Sequence, residues 1–101
     1  MRSTYNQKQL LRTNSIAKII GDFSNILILY ELMNFGEKSF NELKRMTGVN
    51  AVTLSKKLHA LKQESLVDSR ECGNENHYYT TKNAEPYKPL IKDIESLVIN
   101  N

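Results

Sequence analysis

A mainly α domain with a small β-hairpin wing, a winged helix-turn-helix, is predicted by three stretches of this 101-residue chain. Ser39 to Val67 reads as a short helix, a tight turn, a longer helix and the start of a strand. Leu66 to Thr81 holds two β-forming runs around a polar turn, and Tyr87 to Val98 repeats apolar residues at helical spacing.

The first of the central helices begins at Ser39. Its hydroxyl suits the backbone N–H of Glu42, and the Glu42 carboxylate reaches back, so Ser-x-x-Glu satisfies two donors that a helix start leaves unpaired. Phe40, Leu43 and Met46 recur every third residue and are expected to face the core, leaving Asn41, Lys44 and Arg45 outside. Gly48 suits a helix end with positive φ, Val49 plugs the turn, and Asn50 caps the next helix, predicted over about 51–63. In that helix Leu54, Leu58 and Leu61 form one apolar stripe at about 100° per residue. Val52, Thr53, Ser55, Lys56 and His59 point mostly away from it, a small, polar, basic flank. A lysine on an outer flank is ordinarily there for solubility. Val52 points further, because an exposed apolar side chain is of more use against a thymine methyl than in water.

Upstream, Ile16, Ile19 and Ile20 share a helical face, Gly21 and Asp22 break and cap, and a second helix runs from about Phe23 to Asn34. Its unbroken apolar run Ile26 to Tyr30 predicts burial on most sides, and Phe35-Gly36 turns the chain towards Ser39. A further N-terminal helix, about 5–20, carries Leu10 and Leu11; with little to pack against in so small a monomer, it either meets a partner chain or frays. Downstream, Leu66 to Arg70 and His77 to Thr81 are the strands of the wing, joined through Cys72-Gly73-Asn74. From Tyr87 the apolar residues Tyr87, Leu90, Ile91, Ile94, Leu97 and Val98 define a C-terminal helix, about 87–99, with Pro86 and Pro89 in its first turn. Its apolar face is expected to pack across a two-fold axis on its own copy, the alternative being its own domain.

At this length a single domain is expected, with a core that pairing would strengthen. No long apolar run or secretion signal is visible, which predicts a soluble, cytoplasmic, nucleoid-associated protein without a membrane partner. Cys72 is the single cysteine, and with only His59 and His77 beside it no zinc spacing can be drawn, so no metal or cofactor is expected. Cys72 is assigned no role. The charge is uneven: residues 1–62 carry ten Lys/Arg against four Asp/Glu, and residues 63–101 carry four against seven. The positive field therefore lies on the half with the helix-turn-helix, as contact with a phosphate backbone requires. Glu71 and Glu75 make the wing less suited to that contact.

Two stretches, Ile16 to Leu29 (IAKIIGDFSNILIL) and Phe40 to Val67, resemble the winged-helix transcription regulators of the HxlR and MarR/ArsR groupings, and Tyr78-x-x-Thr81-x-x-Ala84 matches more loosely. The resemblance spans roughly residues 16 to 99. It implies a homodimer reading a pseudo-palindromic operator, one recognition helix per half-site, with Asn50 to Lys57 at the DNA. The chain departs from the HxlR pattern in having no cysteine ahead of the first helix and Ser24 in place of a tryptophan, so thiol-based sensing does not carry over. Its turn before the recognition helix is one residue shorter, closer to ArsR proteins, yet it lacks their metal-binding cysteine pairs.

The sequence thus predicts a regulator that binds double-stranded DNA as a homodimer. Lys44, Arg45 and Lys57 are expected on phosphates, and Asn50, Ala51, Val52, Thr53, Ser55, Lys56 and His59 near base edges. Arg70, Asn74 and Asn76 are expected to touch DNA from the wing. Leu10, Leu11, Leu90, Ile91, Ile94, Leu97 and Val98 are the expected dimerisation residues. The rival reading is a winged-helix interaction or assembly module without DNA. An enzyme is not expected, for want of a phosphate loop or a nucleophile in a recognisable setting.

Overall fold

The computed structural model describes residues 18–19 and 22–99, without the side chains of 94–99. Helix α1 spans Phe23–Phe35 and starts where Asp22 accepts from the N–H groups of Ser24 (2.9 Å) and Asn25 (3.4 Å). It stops at Gly36, whose φ of 84° only glycine adopts freely. Its apolar run buries Ile26, Ile28, Leu29 and Leu32, so α1 is the central helix that the sequence predicts.

A short strand β1, Lys38–Ser39, precedes α2, Phe40–Thr47. The capping box at Ser39 is complete: the Glu42 N–H donates to Ser39 Oγ (3.2 Å), and the Ser39 N–H donates to Glu42 Oε1 (3.0 Å). The bond from the Ser39 N–H, with the Ser39 hydroxyl beside it, holds the Glu42 carboxyl below the usual carboxylate range. Leu43 is fully buried and Phe40 partly so, but Met46 is 44% exposed, contrary to its expected place in the core. Steps of three residues fall about 60° short of a full helical turn, so the third member of the series has rotated out of the interface.

Gly48 ends α2 in the left-handed region (φ 73°), its N–H donating to the Lys44 carbonyl (3.0 Å). Asn50 then caps α3, Ala51–Gln63, accepting from the Thr53 N–H (2.9 Å). Helix α3 ends in a Schellman pattern, Leu66 N–H to the Leu61 carbonyl (3.0 Å) and Ser65 N–H to the Lys62 carbonyl (2.9 Å). The left-handed residue is Ser65 (φ 62°), where glycine is usual. Thr81 and Asn83 donate to the Ser65 carbonyl, bonds that a glycine there would keep. Ser65→Gly is therefore expected to stabilise the domain by about 0.5–1 kcal/mol, the relief of left-handed strain outweighing the added freedom of the unfolded chain. A urea midpoint that falls instead would show that the serine side chain contributes to the turn.

Strands β2 (Val67–Cys72) and β3 (Glu75–Thr80) form the wing, in register from Val67↔Thr80 to Cys72↔Glu75, with Gly73 (φ 63°) and Asn74 as the two-residue turn. The hairpin is longer at its tip than the sequence predicts. It also has a third strand: β1 pairs with β3 through Lys38↔Tyr78 and Ser39↔His77, giving the order β1-β3-β2.

A 3₁₀ helix over Lys82–Tyr87 follows, buries Ala84 and contains Pro86; α4 is Lys88–Ile99 and has Pro89 in its first turn. The boundary thus lies one residue beyond the predicted Tyr87. Helix α4 packs on α1. Ile91, expected in a dimer seam, is 1% exposed within its own domain's core, whereas Leu90 is exposed. For Ile91 the intradomain alternative holds. Leu10, Leu11 and the predicted helix over 5–20 fall outside the described residues save for Lys18 and Ile19, which are helical, and so do the side chains of Ile94, Leu97 and Val98. No described helix is long and apolar enough to cross a membrane.

Candidate nucleic-acid interface

The interface is built on the leucine stripe. Leu54, Leu58 and Leu61 are buried in the core with Leu43 and Leu66, which fixes the rotation of α3 about its axis. The opposite flank is then set outward: Ala51, Val52, Ser55, Lys56 and His59 are exposed, and Thr53 is half-buried. Val52 is the most open large apolar side chain described, at 67%. Asn50 is exposed, but its Oδ1 is engaged in capping, which leaves the amide as its outward group. On α2, Lys44 and Arg45 are exposed and flank the turn.

Lys57, expected on phosphate, is engaged within the chain. Its ammonium lies 2.5 Å from Asp22 Oδ2, tying α3 to the N-cap of α1 across 35 positions. That hydrogen bond, ahead of the cap bonds, holds the Asp22 carboxyl below the usual carboxylate range. A depressed folded-state value means stability that is present above the ordinary carboxylate value of 3.8 and lost as pH falls through the lower native value. Lys57→Met should therefore cost about 0.5–1 kcal/mol at neutral pH, a discounted figure for a half-exposed pair. The deficit should shrink as Asp22 becomes protonated, which urea unfolding at about pH 7 and at about pH 3 measures. An equal deficit at both would assign the effect to packing.

Arg70, expected on DNA, is also engaged. Its Nε and Nη2 donate to the two oxygens of Glu37, each at 2.8 Å, in a bidentate pair. The guanidinium holds the Glu37 carboxyl below the usual range, and Glu37 raises Arg70 in turn. His77 Nδ1 approaches Glu37 Oε2 at 3.3 Å, and its Nε2 approaches Glu75 Oε2 at 3.3 Å. Asn74 and Asn76 are exposed at the tip. Glu37, Cys72 and His77 form a group of possible metal ligands that linear spacing does not disclose. The hairpin register brings Cys72 and His77 to one face: Cys72 lies two positions along β2 from Arg70, the residue paired with His77.

Two helices joined by the three-residue turn 48–50, a second helix with its polar basic flank outward, and a sheet whose β2 packs on that helix define a winged helix-turn-helix. The chain belongs to the HxlR-like helix-turn-helix family, whose model matches residues 19–101. This is a family of DNA-binding transcription regulators, not of enzymes.

Solved structures share the fold. NolR from Sinorhizobium fredii superimposes with a TM-score of 0.77 at 18% identity, covering 93% of this chain and 96% of its own. The homodimeric winged helix-turn-helix DNA-binding domain of Mb0332 from Mycobacterium bovis, a possible ArsR-family transcriptional regulator, gives 0.75 at 23% identity, covering 100% and 96%. HlyU from Vibrio cholerae N16961 gives 0.72 at 22% identity, covering 91% and 97%. None of the curated protein sequences compared with the chain matches it.

Proposed function

We propose that this protein is a sequence-specific double-stranded DNA-binding transcriptional regulator that acts as a homodimer in the cytoplasm, at the nucleoid, with α3 in the major groove. The observation that carries this reading is the open flank of α3, where Val52, Ser55, Lys56 and His59 stand exposed opposite a buried leucine stripe. A major groove about 12 Å wide accepts such a helix. Ala51, Val52, Thr53, Ser55, Lys56 and His59, with the Asn50 amide, approach base edges. Lys44 and Arg45 on α2 sit where the first helix of the motif crosses the phosphate backbone. Lys57 holds α3 in place through Asp22. Asn74 and Asn76 at the wing tip are the groups closest to a second contact.

The homodimeric state of the Mb0332 domain supports pairing here, as does the exposed Leu90 on α4. Leu10, Leu11, Ile94, Leu97 and Val98 remain the residues proposed for that seam. A two-fold pair would set its α3 helices about 34 Å apart, one duplex turn.

The test is fluorescence anisotropy of the full chain with a nonspecific duplex at low salt, followed by a salt titration and selection of bound sequences from a random pool. Binding that weakens as salt rises, together with an enriched inverted repeat, supports the reading. Absence of binding at low salt favours a protein-interaction module, the use to which the exposed Glu71 and Glu75 of the wing are better suited.

A further inference from the structure

Three side chains from separate parts of the chain meet on the outer face of the wing. Glu37 precedes β1, Cys72 closes β2 and His77 lies in β3, and one ligand atom of each falls within 4.8 Å of the other two. An imidazole nitrogen, a sulfur and a carboxylate oxygen are a donor set that suits a borderline-soft cation, three protein ligands leaving one position open.

The distances favour the same conclusion. Glu37 Oε2 and His77 Nδ1 are 3.3 Å apart. That matches the edge of a tetrahedron with bonds of about 2.0 Å, so these two ligands already stand at a coordinating separation. The Cys72 sulfur lies within 4.8 Å of both, on a strand whose register with β3 is fixed as far as Cys72↔Glu75. The far side of the imidazole is prepared as well: Glu75 Oε2 lies 3.3 Å from His77 Nε2. A carboxylate on the distal nitrogen fixes the ring's tautomer and orientation, as it does for metal-bound histidines.

We propose that Glu37, Cys72 and His77 form a binding site for a divalent cation of the Zn²⁺ type, with Arg70 as the internal cation it displaces. Binding releases the Cys72 thiol proton to solvent and replaces the bidentate Arg70–Glu37 pair with a Glu37–metal bond. Arg70 is largely exposed, and an exposed ion pair is a weak competitor.

Co²⁺ titration of the reduced full chain tests this, with Zn²⁺ as competitor. One equivalent of Co²⁺ should give a thiolate charge-transfer band and tetrahedral ligand-field bands, both bleached by Zn²⁺. Cys72→Ser should remove the charge-transfer band, and His77→Ala or Glu37→Gln should weaken binding at least tenfold. Glu75→Gln should weaken it about tenfold through the ring. Arg70→Ala should tighten it by up to about fivefold, because a competitor is gone. Circular dichroism of each variant confirms that it is folded. The proposal is overturned if no thiolate band develops, or if the band persists at unchanged affinity in His77→Ala and Glu37→Gln, as it would for a cysteine binding cobalt alone. The titration contains no DNA, so its result stands apart from the regulator reading.

Discussion

Leu58→Ala is expected to lower the free energy of unfolding by about 2–5 kcal/mol, read as a shift in the urea midpoint at constant slope. Leu58 is 2% exposed and lies between Leu54 and Leu61 on the stripe that docks α3 on the core. Truncation removes three buried carbons and leaves a cavity that the helix cannot fill without changing its rotation. A domain of this size has a total stability of roughly 5–15 kcal/mol, so the variant is expected to be partly unfolded near its working temperature. Its control is Lys56→Ala on the opposite flank of the same helix, where the midpoint should move by less than about 0.5 kcal/mol. A loss below about 1 kcal/mol at Leu58 would mean that the stripe is not what holds the helix, and the orientation of the exposed flank would lose its physical basis.

The contrast between those two positions separates what is legible in the sequence from what only folding decides. Ser39 with Glu42, Gly48 and Asn50 are local devices: each satisfies backbone groups or sets a dihedral within four residues, so the sequence alone places α2, its turn and α3. The leucine spacing determines which flank of α3 turns outward. What escapes is everything decided by a partner far along the chain. Lys57 looks like any lysine of a basic flank until folding sets it against Asp22, and Arg70 looks free until Glu37 arrives from 33 positions away. Ile91 shares its helical spacing with Leu90, yet Ile91 is turned into the domain's core while Leu90 is exposed, because periodicity defines a face without naming what covers it. The two-residue β1 is too short for any pattern, and it exists only because β3 offers an open edge. The candidate metal group escapes for the same reason: Cys72 and His77 meet through the hairpin register and Glu37 joins them from ahead of β1, with no linear motif.

Charge reversal at Lys56 is expected to have the largest effect on duplex binding of any single change that leaves the fold intact. Lys56 is exposed on α3, and among the described residues no ion pair involving it is found, so its whole charge is available to the duplex. Lys56→Glu should weaken binding by about tenfold or more at roughly 0.1 M salt, through a lost attraction and a new repulsion. Lys56→Ala should make the log–log salt slope shallower by up to about one unit. Lys57 supplies the comparison. Its charge is answered by Asp22, so removing it alters the net field near the duplex while also loosening α3, and Lys57→Met should change the salt slope less than Lys56→Ala while lowering the urea midpoint more. Arg70→Ala should likewise change the slope little, since Glu37 already neutralises the guanidinium. If instead Lys57 and Arg70 matched Lys56 in the salt titration, the internal pairs would have to open on DNA. The duplex would then be competing with Asp22 and Glu37 for the same cations.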